Sequence, residues 1–332
     1  MLYGYMPAVI TGFLLTAVPN WTGRLPLQGR PLLALVAIWI AGRVAVTTSV
    51  WTGWVAAGLV DVAFLLAVGM AVAREIMAGR NWGNLKVLIV LALLFAGNVT
   101  FHVEAHVNGS ADVGMRIGIA GTVILIMVIG GRIVPSFTRN WLARENPGRL
   151  PIPFGRFDVI STMVAGAALI AWCVAPAWSA TGVFLMVAGF VQAARLARWA
   201  GERTWRDPLV LVLHVAFAFV PLGFALVGAA SLGLLPASAG IHAWTGGAFG
   251  GMTLAVMSRA SLGHTGRALV ASRRVRVVYA LVLVATLARI CASVHPQLGM
   301  PLLHVAGIAW ATAFLGFALA YWPVFTGPRV SA

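Results

Sequence analysis

The sequence predicts an all-α, polytopic transmembrane helix bundle, and three observations carry that expectation. Of the 332 residues, 61% are hydrophobic and only 9% are charged, whereas soluble domains carry about 25% charged residues. The apolar residues run continuously rather than alternating, which suits membrane helices and not a membrane barrel. The basic residues fall in clusters between the apolar runs. The same figures exclude intrinsic disorder, which needs few apolar residues.

A spanning helix needs about 20 mostly apolar residues, and eleven stretches meet that need, approximately 1–18, 31–50, 54–73, 85–106, 114–134, 157–174, 178–197, 208–233, 239–257, 275–293 and 299–322. They are read as one integral membrane domain over 1–332. All but three of the 23 basic residues (Arg43, Arg116 and Arg289) lie in the loops after the odd-numbered runs, at the run ends bordering those loops, or in the C-terminal tail. Positive charge marks cytoplasmic loops, so those loops and the C-terminus are expected inside, with Met1 outside. The net charge of +15 and the sequence pI of 11.7 are therefore a topology signal, not a nucleic-acid footprint. A chain opening directly in a helix suggests one further helix upstream, giving twelve in the complete protein.

Short echoes close runs four apart: Val18-Pro19-Asn20-Trp21-Thr22, Val134-Pro135-Ser136-Phe137-Thr138 and Val256-Met257-Ser258-Arg259. They suggest a threefold four-helix repeat. Tryptophans such as Trp21, Trp51, Trp54, Trp82, Trp141 and Trp178 sit at the ends of runs, as an interfacial belt requires. Gly246, Gly247, Gly250 and Gly251 form either a close-packing surface or a face that lets a flat cofactor near the backbone.

Arg43 and Asp61 stand at matching depth on consecutive antiparallel spans, so a buried ion pair is expected, either as a clamp between helices or as part of a functional pathway. Arg289 is expected to snorkel to the outer interface. The expected sidedness also gathers five of the seven histidines, His102, His106, His242, His295 and His304, toward the outer face. His214 and His264 fall toward the inner side. Imidazole suits iron and copper. The His102–His106 spacing puts both rings on one helical face, able to share one copper but not to sandwich one haem, whose axial ligands approach from opposite sides. A haem would pair His102 or His106 with His242 or His304. Each histidine taken singly is also readily explained as an interfacial or hydrogen-bonded residue. Glu104 is expected to point away from that face. Cys173 and Cys291 are read as small buried hydrophobes, with a copper thiolate or a disulfide as alternatives. No phosphate loop, G-x-S-x-G or H-E-x-x-H motif occurs, and no catalytic residue is assigned.

Three stretches resemble signatures of the NnrS family, haem- and copper-containing membrane proteins of the bacterial nitric oxide response: Gly12–Gly23 (GFLLTAVPNWTG), Gly130–Thr138 (GGRIVPSFT) and Gly251–Arg267 (GMTLAVMSRASLGHTGR). The resemblance covers essentially the whole chain. It implies a twelve-helix inner-membrane protein that binds haem and copper, is linked to denitrification or nitrosative stress, and meets nitric oxide or iron–nitrosyl species. Family members usually carry one more N-terminal helix and a His-rich stretch just before the position of Met1, so the chain departs from the pattern there. By resemblance, His102 fits an Asn-x-x-x-His pattern beginning at Asn98, His214 a Leu-His motif, and His242 and His264 the motif of the ninth span. The candidate cofactor-binding residues are therefore His102, His242, His304 and His214, and the candidate metal ligands His102, His106, His242 and His264. Two other classes stay open beside it: a transporter or channel using Arg43 and Asp61, and a membrane assembly factor without chemistry of its own.

Overall fold

A computed structural model describes residues 2–329, without the side chains of Asn20, Trp21 and Lys86. The expected positions of Met1 and of the Trp21 and Lys86 side chains lie outside the described residues. Every expected span falls on a helix. In order these are α1 (Tyr5–Thr22), α2 (Arg30–Thr47) with the short α3 (Ser49–Thr52), α4 (Trp54–Ala78), α5 (Lys86–Asn108), α6 (Asp112–Glu145), α7 (Arg156–Val174), α8 (Ser179–Ala197), α9 (Pro208–Ser231), α10 (Ala237–His242), α11 (Met252–His264), α12 (Arg273–Val294) and α13 (Gly299–Thr326). No strand occurs among the described residues.

Nine of the described helical segments are long and apolar enough to cross a membrane. The two expected spans outside that set have identifiable differences. The apolar part of α1 is short, Tyr5–Pro19. The ninth expected span is split, because a π-helical segment, Ala243–Gly251, stands between α10 and α11. Large apolar side chains such as Leu66, Met70, Phe190, Ile308 and Leu319 are exposed, as befits helices whose solvent is lipid. Trp51, Trp82 and Trp178 are exposed at helix ends.

The chain forms two compact units, Met1–Thr122 and Val123–Ala332, with the boundary inside α6. The 34 residues of α6 extend about 51 Å at 1.5 Å per residue, against a hydrocarbon core of about 30 Å. Arg132, Arg139 and Arg144, expected in a loop, therefore lie on the helix itself. Helix ends are closed by side chains and glycines. The Asp207 carboxylate accepts the Leu209 N–H at 2.9 Å and starts α9, where Pro208 needs no donor. Burial pushes that carboxyl above its ordinary pKa. Gly23 and Gly109 take left-handed conformations to end α1 and α5.

In the second unit one arginine is withdrawn from solvent altogether. Arg195, counted as an inner-loop charge, is fully buried on α8. Its Nε donates to Asp158 at 2.9 Å and its Nη1 to the Met127 carbonyl at 3.0 Å. Gly131 makes the room: a Cβ there would lie 2.0 Å from Nη2. Asp158 also accepts the Gly155 N–H at the start of α7, so one carboxylate caps a helix and neutralises a buried cation.

The glycine-rich π segment is filled by side chains of its own unit. A Cβ on Gly247 would enter the Phe219 ring at 2.0 Å, one on Gly250 would meet Trp310 at 2.4 Å, and Gly246 faces Thr286. Trp244 donates its indole N–H to the Val220 carbonyl at 3.0 Å. The close-packing alternative for these glycines is thus the one observed. The repeat echo has a local counterpart: Thr22 donates to the Val18 carbonyl at 2.9 Å and Thr138 to the Val134 carbonyl at 2.8 Å. Neither Cys173, half-buried, nor Cys291, exposed, forms a disulfide. The disulfide alternative therefore falls, and Cys291 is not the buried hydrophobe expected, because its position on α12 faces outward.

Gly247→Ala is expected to lower thermal stability in detergent by about 1–3 kcal/mol, the usual cost of overpacking. Gly12→Ala, whose Cβ would meet nothing within 4 Å, is expected to be nearly silent. Thermal unfolding followed by size-exclusion chromatography compares the two.

Candidate intramembrane polar site

The first unit holds one concentrated polar cluster, and three helices build it. Asp61 on α4 is 3% exposed. Arg43 on α2 forms an ion pair with its Oδ1. Two side chains from α5 share its Oδ2: Asn98 donates from Nδ2 at 3.2 Å, and His102 Nε2 lies at 2.9 Å. Asn98 and His102 are one helical turn apart, so both reach the same oxygen from one face. The Asn-x-x-x-His pattern thereby acquires a physical meaning: it presents two donors to one carboxylate.

Small residues permit this convergence. Gly42 lies against Asp61, where a Cβ would come within 3.2 Å of both the Asp61 Cα and Oδ1. Gly58, one turn before Asp61, faces the His102 ring, with a would-be Cβ 3.4 Å from its Cβ and Cγ and 3.7 Å from its Nδ1. Residues around Tyr3 fix the rest. Trp39 donates to the Gly4 carbonyl at 2.9 Å, and Tyr3 donates to the Gly114 carbonyl at 2.5 Å. The Asn98 Oδ1 and Arg43 Nε are buried without a hydrogen-bond partner among the described residues.

The other candidate histidines have distinct surroundings. His106 is exposed and stacks on Trp54, with ring centroids 4.2 Å apart at 15°. His214 is buried, its Nε2 lying 2.7 Å from the Thr138 hydroxyl. Its Nδ1 has no hydrogen-bond partner among the described residues and abuts Gly201, where a Cβ would be 2.4 Å away. His242 is half-buried at the end of α10, where the π segment begins. His264 is exposed at the end of α11. His304 is exposed on α13 and donates from Nδ1 to the Met300 carbonyl at 2.8 Å, which leaves Nε2 as its lone-pair nitrogen. Among the described residues, no group of three or more His, Cys, Asp or Glu side chains is disposed to hold a metal ion.

Three features were missed by sequence reasoning. Asp61 was paired with Arg43 but not with His102, although the matched-depth argument that joined the first two reaches His102 as well. Asn98 was noted only as part of a pattern. Glu104 does point away from His102, yet it is not merely interfacial: its two carboxylate oxygens accept the N–H groups of Val113 and Gly114 at 3.0 and 2.9 Å. It thus caps α6 from the preceding helix, as an anion at a helix N-terminus should.

Apolar helices of spanning length around an intramembrane carboxylate with a histidine partner define a multi-pass α-helical membrane protein. The family model described as NnrS protein matches residues 1–329, and the chain belongs to that family. It is accordingly a membrane protein of the nitric oxide response. No curated protein and no solved structure matches it.

The family implies haem and copper, and His102 fits a ligand of either. Metal-ligating histidines characteristically give their second nitrogen to a carboxylate that fixes the ring. His102 does so through Nε2, and its Nδ1 edge faces Gly58.

Asp61→Leu strands Arg43 without its partner and is expected to destabilise the protein strongly. Losing one member of a fully buried pair costs about 3–5 kcal/mol, and the side chain of Arg43, 31% exposed, places this case below that range. The double variant Asp61→Leu/Arg43→Met is expected to recover part of the loss. A double-mutant cycle on detergent stability measures the difference.

Proposed function

We propose that the protein is a haem- and copper-binding protein of the bacterial inner membrane that handles nitric oxide or its iron–nitrosyl products during nitrosative stress, in association with denitrification. The observation that carries this is the orientation of His102 by Asp61 at membrane depth, in a chain of the NnrS family. A bound iron or copper would supply the centre at which nitric oxide coordinates. The chain's own residues do the rest. Asp61 fixes the His102 ring, Arg43 balances the carboxylate charge, and apolar lining keeps water scarce around them.

Among the expected ligands, His102 has the strongest support. His304 has one nitrogen committed to its own helix and the other available, so it remains a candidate. His242 keeps its candidacy by position. We keep His106, stacked on Trp54, as a secondary copper candidate at the expected outer side, and the exposed His264 as a separate one at the expected inner side. His214 we assign to packing, because backbone closes over its free nitrogen. The arginine distribution supports a cytoplasmic C-terminus. The Arg43–Asp61 pair would also suit a transporter pathway, but Asp61 is tied to two other helices at once. That favours a fixed brace over a group that binds and releases cargo.

Protein purified from native membranes is expected to show a Soret band and to contain copper by elemental analysis. His102→Ala should reduce the Soret absorbance per protein by at least about tenfold, in line with the loss of a metal ligand or its support. A normal Soret band in His102→Ala would remove His102 from the haem site. Wild-type protein without haem or copper would overturn the proposal.

A further inference from the structure

We infer that Asp61 is a positioning residue that fixes the proton of His102 on Nε2, so that His102 offers a metal only its Nδ1. The inference rests on the functional reading above for what binds His102, but the placement of the proton follows from the polar cluster itself.

The argument is a count of donors and acceptors. Arg43 holds its charge under all ordinary conditions. It pairs with Asp61, so a protonated Asp61 would leave that cation uncompensated at membrane depth. Asp61 is therefore ionised and can only accept. Its Oδ2 receives the Asn98 amide at 3.2 Å and faces His102 Nε2 at 2.9 Å. With a carboxylate on the far side, Nε2 must carry a proton. A second proton on the ring would make the cluster a net cation in an apolar setting. The stable state is the neutral ring with Nε2–H and a lone pair on Nδ1.

Two further features agree with this assignment. The nitrogen that meets Asp61 is Nε2, so Nδ1 is the one left over. It also faces α4 at Gly58, where even a Cβ would stay at ordinary contact distance, 3.7 Å. A branched side chain at 58 would crowd the Nδ1 edge without touching the Asp61 contact. Asn98 has a second role in the same scheme. Its Oδ1 is a buried acceptor without a hydrogen-bond partner among the described residues, so no acceptor contact holds its amide when Asp61 changes.

That property makes Asp61→Asn a tautomer switch and not merely a deletion. The new amide must turn its oxygen to Arg43, since a donor there would face a donor. Its NH2 group then faces His102 and Asn98. Asn98 turns its oxygen inward, and His102 Nε2 becomes the acceptor. The proton moves to Nδ1 and blocks the nitrogen that would bind metal.

The test is 15N NMR on histidine-labelled, metal-free protein in lipid nanodiscs, with His102 assigned by comparison with His102→Gln. Wild type is expected to show a protonated Nε2 and a bare Nδ1, and Asp61→Asn the reverse. Titrations with hemin and with copper(II) ion are expected to show about 10–100-fold weaker binding in Asp61→Asn, the usual cost of losing such a partner. Gly58→Val, which keeps Asp61, is expected to keep the wild-type tautomer and still bind more weakly. A wild-type proton on Nδ1, an unchanged tautomer in Asp61→Asn, or undiminished binding in Gly58→Val would overturn the inference. None of these outcomes would touch metal binding by the protein as such. Conversely, a wild-type Nε2–H tautomer in protein that takes up neither hemin nor copper would support the proton placement and sink the functional reading.

Discussion

A carboxylate buried among apolar helices needs donors or a countercharge, and Asp61 draws them from α2 and α5 at once. Arg43 approaches one oxygen, and Asn98 and His102 share the other. Each contact helps to fix the rotation and depth of a helix. The histidine is thereby held in one orientation before any ligand arrives. Preorganisation of this kind would spare a bound metal the cost of ordering its ligand.

The second unit solves a similar problem in a different way. Arg195 is a buried cation that takes its acceptors from Asp158, from the Met127 carbonyl and from the Thr162 hydroxyl at 3.2 Å. Glycine at position 131 gives it space. Here the charge braces helices and no histidine takes part. The contrast separates the two intramembrane ion pairs. Of the two ion pairs, the Asp61 pair carries a histidine on its carboxylate and the Asp158–Arg195 pair does not.

Much of the fold was legible in the sequence because a bilayer imposes a length and an apolar composition on each span. All eleven expected spans coincide with helices, and the boundaries of α7 and α8 agree to within a residue or two. What hydropathy does not encode is where a helix stops after leaving the membrane, so α6 runs past its apolar stretch and carries arginines assigned to a loop. Nor does it encode the π segment, which depends on glycines at 246, 247, 250 and 251 accepting neighbouring side chains. The polar site was half legible. Depth matching found Arg43 and Asp61, and the Asn98–His102 spacing was recognised as a pattern. Their meeting on one oxygen required knowing that α4 and α5 turn those faces toward each other. The burial of Arg195 was hidden for the same reason, since a charge near a helix end reads as solvated until its partner on another helix is seen.

The central claim is that Asp61 is an ionised acceptor within the membrane. The chain has only eight Asp and Glu residues, so one carboxylate can be followed by infrared difference spectroscopy. The measurement is the difference between wild-type and Asp61→Asn protein in nanodiscs, with aspartate labelled by 13C. Loss of an ionised carboxylate band, with no change in the protonated-carboxyl region, is the expected result. Loss of a protonated-carboxyl C=O band instead would mean that Asp61 is neutral, and the whole arrangement around it would have to be redrawn.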